Sequence, residues 1–452
     1  MKRYYHFIGI AGIGMSGIAQ LLLKSGYRVS GSDLKENLIS QQLKSLGAKI
    51  FLGHHAQNIT DQDVVVYSSA IAQNNPEVCQ AKVLGIPLIK RAQALAELMQ
   101  NKTAITIAGS HGKTTTTSLI SYMLLEAGLC PTVAIGGILN NIQTNACLGS
   151  GQFFVAEADE SDGSFLNFQP KYSIITNIDQ EHLDYYHNFN NELEAFRSFI
   201  KRTTSDGCVF ACADDPHLLN IMRSYAGKRL FFGLDNSADI YAQHIVFNEL
   251  ASEFDCYFKD KLISRFHLSL GGKHNISNAL GVIGLGLELD IDLKYIRSSL
   301  SGYKGAGRRL ETKFQSDKYW VIDDYAHHPT EIKATLAAIA NLKVGRKIVI
   351  FQPHRYSRTQ LLLNDFAESF GQADYLIITD IYAASEQPID GVNAGKLLAK
   401  IKEFDPDKKV VYLVKEDILS HVLGMLRDGD LVMTLGAGDI VRVSDALAGE
   451  LK

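Results

Sequence analysis

A chain of 452 residues with 46% hydrophobic and 21% charged residues has ordinary globular composition and, by length, room for about three domains. A net charge of −4 without any basic stripe argues against a nucleic-acid partner, and no run approaches the roughly twenty uninterrupted apolar residues of a membrane span. The six cysteines are scattered, only Cys208 and Cys212 lie close together, and residues 1–6 run directly into a strand candidate, so reduced thiols and a cytoplasmic location without a signal peptide are expected.

Residues 5–10 read as a strand, followed by Gly12-Ile13-Gly14-Met15-Ser16-Gly17 at the start of an apolar helix, the Gly-x-Gly-x-x-Gly spacing of a Rossmann-like turn. The next strand, 27–31, ends at Ser32-Asp33, where an acidic side chain meets a ribose. Alone, this pattern suits NAD, any nucleotide diphosphate, or merely tight packing. The βα rhythm continues through 48–51, 64–70 and 87–91 to a helix at 92–99, with Gln100-Asn101-Lys102 as a linker. A Rossmann-like domain over residues 1–100 follows.

The central unit, 101–305, opens with a strand at 105–108 and the turn Gly109-Ser110-His111-Gly112-Lys113-Thr114-Thr115 before a threonine-rich helix. This is a shortened phosphate loop, Gly-x-x-Gly-Lys-Thr. Its backbone N–H groups, the helix dipole and the Lys113 ammonium converge on one spot suited to polyphosphate, with Thr114 placed to hold Mg²⁺. Strand candidates recur at 132–135, 153–160 and 172–178, and a parallel sheet gathers their polar ends beside that loop. Glu157, from the cluster Glu157-Ala158-Asp159-Glu160, is the expected metal ligand, with His182 as its nitrogen partner. Short alternating runs between 228 and 270 suggest an antiparallel patch. His274-Asn275-Ile276-Ser277-Asn278 then starts a helix whose His274 and Asn278 share a face, able to meet an adenine edge or simply to cap.

Gly302, Gly305 and Gly307 form a flexible junction ahead of Arg308-Arg309, and the βα rhythm restarts over 306–452. A strand at 318–322 ends in Asp323-Asp324-Tyr325-Ala326-His327-His328-Pro329-Thr330-Glu331, with Pro329 placed to start a helix over 332–342. A second at 347–351 ends in Gln352-Pro353-His354-Arg355-Tyr356-Ser357-Arg358-Thr359. Arg355 and Arg358, one helical turn apart, make either a carboxylate or phosphate clamp or a solvated face. The expected fold class is α/β in three domains: a Rossmann-like N-terminal domain, a central α/β domain with a shortened P-loop, to which the resemblance described next assigns ATP binding, and a C-terminal Rossmann-like domain.

These segments together, from Gly109–Thr114 through Glu157–Ser161, Asn177 with His182, His274-Asn275 with Asn278, and 323–331, resemble the Mur ligases, ATP-dependent amide-forming enzymes of peptidoglycan synthesis, over essentially the whole chain. The resemblance implies that the first domain binds the sugar nucleotide UDP-N-acetylmuramate rather than NAD, through Gly12, Gly14, Met15, Ser16, Asp33, Ser68, Ser69 and Arg91. It implies ATP at Gly109, Ser110, His111, Gly112, Lys113, Thr114, Thr115, His274, Asn275, Asn278, Arg309 and Asp324, and Mg²⁺ at Thr114, Glu157 and His182. L-alanine is implied at Tyr325, His327, Arg355 and Arg358, with Lys113, Glu157, His182 and His327 catalytic. The modified lysine that some relatives carry after the histidine has no counterpart in register within 194–199. The implied reaction joins L-alanine to the sugar's carboxylate through an acyl phosphate; the alternative is a recycling ligase that adds a murein tripeptide to the same sugar nucleotide. A monomer or weak homodimer is expected.

Overall fold

A computed structural model describes residues 2–68, 70–340, 342–384 and 386–452. The chain divides into two compact units: residues 1–244 with 254–267 and 277–304, and residues 245–253 with 268–276 and 305–452. No helix among the described residues is long and apolar enough to cross a membrane.

The first unit opens with β1 (Tyr4–Ile8), β2 (Arg28–Asp33), β3 (Lys49–Leu52), β4 (Val64–Tyr67) and β5 (Leu88–Lys90), paired in the order β3-β2-β1-β4-β5 and parallel throughout. Strands such as Val64-Val65-Val66 are apolar on both faces because helices cover both sides of a parallel sheet. The order reverses between β1 and β4, and in such sheets ligands sit outside the carboxyl ends at the reversal, where Gly9, Asp33 and Ser68 lie.

The second sheet uses β6 (Thr103–Ala108), β7 (Thr132–Leu139), β8 (Thr144–Cys147), β9 (Phe153–Glu157), β10 (Tyr172–Ile175), β11 (Cys208–Cys212) and β12 (Arg229–Gly233), in the order β12-β11-β10-β6-β9-β7-β8. β6 pairs in parallel with β9 on one side and β10 on the other, so the phosphate loop leaves a reversal point, flanked by the ends of both neighbours. Beyond β12 the sheet continues with β13 (Ile240–Asn248), β14 (Ala251–Phe258) and β15 (Lys261–Leu268). Residues 229–232, grouped above with the antiparallel runs, instead pair in parallel with β11. Alternation marks a half-buried strand and carries no information about strand direction.

The first sheet and strands β6 to β12 of the second share one compact unit, in which side chains tie the two sheets. Asn145 Nδ2 donates to Ile13 O at 2.7 Å, and Gln20 Nε2 donates to Ala146 O at 3.1 Å. The second unit holds β16 (Glu311–Gln315), β17 (Tyr319–Asp324), β18 (Lys347–Phe351), β19 (Tyr375–Ile378), β20 (Val410–Tyr412) and β21 (Asp430–Leu435), ordered β16-β17-β21-β18-β19-β20 with only β16 antiparallel. Ile348 and Ile350 face one core, Val349 and Phe351 the other, as the two-residue strand period requires.

Candidate active site

The phosphate loop is shaped by two glycines. Gly109 has φ +133° and a Cβ there would stand 2.1 Å from Thr176 Oγ1; Gly112 has φ +84° and its Cβ would stand 2.7 Å from Asn278 Oδ1. Only glycine fits both the backbone angle and the close approach. The end of β10 holds the loop from outside: Ser110 N–H donates to Asn177 O (3.1 Å), His111 N–H to Asn177 Oδ1 (2.9 Å), while Thr176 Oγ1 and Asn177 Nδ2 both donate to His111 O (2.6 and 3.0 Å). His111 Nε2 and Asp179 Oδ2 are 2.9 Å apart. The helix Lys113–Glu126 starts directly from Gly112 with no side-chain cap, so its first N–H groups remain available to an anion. Thr114 is half-buried and Thr115 buried in its first turn. Lys113 Nζ donates to Gly109 O (2.5 Å), Ser110 O (3.1 Å) and Glu160 Oε1 (2.7 Å). Burial works against its charge, but the nearby Glu160 and Asp159 carboxylates raise its pKa and keep it cationic.

Two groups of possible metal donors surround Lys113. Glu157, at the end of β9, accepts from Gly136 N–H at 2.8 Å; a Cβ on Gly136 would lie 2.6 Å from Glu157 Oε2, and one on Gly137 would lie 3.1 Å from Thr114 Cγ2. Glu157 and Thr114 thus approach successive glycines of β7. The tighter group is Glu160, Glu181 and His182, whose donor atoms all lie within 4.8 Å of one another. His182 Nε2 is 3.5 Å from Glu160 Oε1 and 3.4 Å from Glu181 Oε2. Against burial, these two carboxylates raise the His182 pKa to about 10. Its φ of +54° places it in the left-handed region, a strain characteristic of functional turns. Among the described residues Glu160 Oε2 is buried without a hydrogen-bond partner, an orphaned oxygen that a divalent cation would satisfy. The donor set of hard oxygens plus one imidazole fits Mg²⁺. Behind it, Tyr186 O–H donates to Glu160 O at 2.5 Å, and burial raises the Glu192 carboxyl to about 8 where its Oε2 accepts Glu181 N–H at 3.3 Å.

At the N-terminal loop, Gly9 N–H and Ile10 N–H donate to Ser32 O (2.8 and 3.0 Å), and Ala11 N–H to Asp33 Oδ2 (3.0 Å). Asp33 therefore braces the loop itself. Gly12 precedes the helix Ile13–Lys24, in which Met15 and Ser16 are buried and Ser16 Oγ donates to Ile13 O. A Cβ on Gly14 would stand 2.8 Å from Arg91 Nη1, so Arg91 crosses the loop; its Nη2 then donates to Asp159 Oδ2 at 2.8 Å. Although burial opposes it, Arg91 and Lys113 pull the Asp159 carboxyl down to about 2. This aspartate stands between a cation of the first loop and one of the second. Ser68 lies half-buried at the end of β4, and Ser69 falls outside the described residues. Beneath the loop a fully buried Glu77 accepts from Ser32 Oγ and Asn58 Nδ2, each at 2.5 Å.

In the second unit, residues after β17 and β18 meet. His327 Nδ1 lies 3.0 Å from Tyr325 O and 3.1 Å from Glu331 Oε2, an arrangement that assigns the proton to Nδ1. The His327 ring is 5.2 Å from Tyr325 and 5.4 Å from His354, and Arg358 Nη1 donates to His354 Nδ1 at 3.3 Å. Arg309 stands 5.1 Å over the Tyr325 ring and 3.7 Å from Glu331. Asp324 is occupied structurally: Oδ2 accepts Leu310 N–H (2.7 Å), Oδ1 accepts Ala326 N–H (2.9 Å) and Thr335 Oγ1 (3.2 Å). Burial pushes its carboxyl up to about 6, against the pull of Arg309. At the start of the helix Lys273–Glu288, Asn275 Nδ2 donates to Gly271 O at 2.7 Å, and His274 packs on Gly272; Asn278 of the same helix borders Gly112.

Three family models match in order along the chain: the catalytic domain of the Mur ligase family over residues 4–103, the Mur ligase middle domain over 107–286, and the Mur ligase glutamate ligase domain over 308–438. The chain belongs to the Mur ligase family. A UDP-N-acetylmuramate–L-alanine ligase of Syntrophus aciditrophicus is 46% identical over 451 residues, covering 100% of this chain and 94% of the relative. One of Desulforapulum autotrophicum is 47% identical over 448 residues, 99% of this chain and 98% of its own. The crystal structure of the UDP-N-acetylmuramate–alanine ligase of Thermotoga maritima superimposes with a TM-score of 0.86 at 28% identity, covering 99% of both chains. A murein peptide ligase from Psychrobacter arcticus shares the fold, with a TM-score of 0.74 at 24% identity over 99% of this chain and 98% of its own.

In this Mur ligase the structure gives partners to residues that the motifs contained or adjoined without a role assigned to them. Glu160 and Glu181 join His182, and Asn177 clamps the phosphate loop. Glu181 had one available signal, its place beside His182 after a strand end. Glu331 joins His327 because it lies four residues on, at the start of the helix Pro329–Ala338, and accepts His327 N–H at 3.0 Å.

Proposed function

We propose that this chain joins the amine of L-alanine to the lactyl carboxylate of UDP-N-acetylmuramate, with ATP cleaved to ADP and phosphate through an acyl phosphate, the first amino-acid addition to the peptidoglycan precursor. The observation that carries the ATP half is the Lys113 ammonium, seated between the phosphate-loop carbonyls and Glu160 at a helix start beside the Glu160–Glu181–His182 group. The amino acid and sugar are supported by full-length relatives 44–47% identical, each named for that reaction, which leaves the tripeptide-adding alternative without favour.

A carboxylate attacking a γ-phosphate is an anion approaching an anion. When bound, Mg²⁺ supplies positive charge to that encounter, and Thr114, Glu157 and His182, with Glu160 and Glu181, are the residues to hold it. Lys113 adds a fixed cation, and Gly109 to Thr115 offer backbone donors to the phosphates. Gly12, Gly14 and Arg91 hold the sugar nucleotide, with Asp33 fixing the loop and Asp159 orienting the arginine. Arg355 and Arg358 take the carboxylate of alanine, Tyr325 borders the pocket, and His327, with Nδ1 tied to Tyr325 and Glu331, keeps Nε2 as acceptor for the amine proton. We take the domains as 1–100, 101–305 and 306–452, working in the cytoplasm as a monomer or weak homodimer. The test uses UDP-N-acetylmuramate with ¹⁸O in the lactyl carboxylate: label transferred to the released phosphate, dependent on L-alanine, is expected, and its absence overturns the acyl-phosphate route. Phosphate release with tripeptide and none with alanine overturns the choice of amine.

A further inference from the structure

The two arginines assigned above to the amino-acid carboxylate sit on a segment that does not hold its own shape. Arg355 has φ +69° and ψ 139°, a backbone region that residues with a Cβ rarely adopt and that persists only where surrounding bonds over-determine it. The helix it leads into, Tyr356–Leu361, is too short to impose that geometry by itself. The bonds that do so come from one segment about thirty residues further along the chain. Arg355 N–H donates to Tyr382 O at 2.8 Å, and Tyr382 N–H returns a bond to Pro353 O at 2.8 Å. The Tyr382 ring stacks on His354, centroids 5.6 Å apart and planes 11° from parallel, and its base packs against Gly438, where a Cβ would stand 2.7 Å from Tyr382 Cγ. On the far side of Arg355, Ser357 gives both its donors to one carboxylate: N–H to Glu386 Oε2 at 3.0 Å and O–H to Glu386 Oε1 at 2.5 Å.

Glu386 therefore grips the chain two residues after Arg355 and one before Arg358, while Tyr382 grips Arg355 itself. Hydrogen bonds to an ionised carboxylate are shorter and stronger than neutral ones, and using both oxygens fixes orientation as well as distance. We infer that Glu386 is a positioning residue for the amino-acid site: by clamping Ser357 it holds Arg355 in its strained conformation and keeps the two guanidinium groups on one face for the substrate carboxylate. The inference rests on the reading of Arg355 and Arg358 as the carboxylate clamp.

The experiment compares full-length wild type with Glu386→Ala, Glu386→Gln, Ser357→Ala and Arg355→Ala, measuring kcat, the KM of each of the three substrates, and thermal unfolding. Misplacement of a binding group by about an ångström costs up to about a hundredfold, so Glu386→Ala should raise the KM for L-alanine by about tenfold or more. Its KM values for ATP and UDP-N-acetylmuramate should stay within about twofold, since the bonds of its carboxylate among the described residues go to Ser357. Glu386→Gln, which keeps an acceptor but loses the charge, should fall between, and Ser357→Ala combined with Glu386→Ala should be no worse than the single glutamate variant. Proportional rises in all three KM values, or a lowered unfolding temperature with the alanine KM unchanged, make Glu386 a plain structural cap and overturn the inference. If Arg355→Ala leaves the alanine KM unaltered, the reading of the clamp fails; if Arg355→Ala raises it and Glu386→Ala does not, the positioning role alone fails.

Discussion

Replacing Glu77 by alanine tests how the N-terminal glycine loop is held in place. The carboxylate is fully buried, accepts Ser32 Oγ and Asn58 Nδ2 at 2.5 Å each, and has His6 Nε2 at 3.4 Å. Ser32 in turn offers its backbone oxygen to Gly9 and Ile10, so the carboxylate supports the loop through one intermediate residue. A buried donor left without its acceptor costs about 1–3 kcal/mol, which puts the loss of the two short bonds at about 2–6 kcal/mol. Glu77→Gln preserves volume and one acceptor but turns an amide N–H₂ toward one of the donors, at roughly half that cost. Amide hydrogen exchange is the readout because it reports local opening at the loop itself. At about 1.4 kcal/mol per tenfold, a loss of 3 kcal/mol should speed exchange of the Gly9 and Ile10 amides by about a hundredfold in Glu77→Ala. Burial opposes the charge, yet bonds from His6, Ser32 and Asn58 hold the Glu77 carboxyl below its ordinary value. The stabilisation is thus fully present above the unfolded value of about 4.3 and lost as pH falls through the lower folded value, so wild type and Glu77→Gln should converge only below about pH 4. Exchange at Gly9 and Ile10 unchanged by Glu77→Ala would refute the argument.

Lys113→Ala should abolish turnover while leaving UDP-N-acetylmuramate binding, followed by calorimetry, nearly intact, because the ammonium contacts the phosphate loop and Glu160; a large loss of sugar affinity contradicts that separation. Arg355→Ala should chiefly raise the KM for L-alanine, and a loss confined to ATP affinity reassigns the residue. Asp324 titrates at about 6, raised by burial, so its contribution to stability is full below the unfolded value of about 3.9 and is lost as pH rises through 6. Unfolding followed at Trp320, the single tryptophan and a neighbour on β17, should therefore shift downward between pH 4.5 and 7, and Asp324→Asn should flatten that slope. An equally steep slope in the variant assigns it to another group.

The sequence by itself determined what is local. The βα rhythm and the turn from Gly109 to Thr115 are legible because periodicity and φ-demanding glycines are properties of neighbours in the chain. The three sheets, their dominant parallel pairing and the exit of the Lys113 loop from a sheet end all follow from such signals. Tertiary structure decided what depends on partners far apart. Residues 229–232 joined the parallel sheet because pairing direction is set by the connection and the neighbouring strand, which alternation does not encode. Glu160 and Glu181 lie beside His182, Asp159 takes Arg91 across 68 residues, and Glu77 reaches Ser32 across 45, because burying a charge requires that folding bring it a counter-charge or donors from wherever the topology supplies them. Spacing in the chain says which side chains could do chemistry, and only the packed fold says which of them meet.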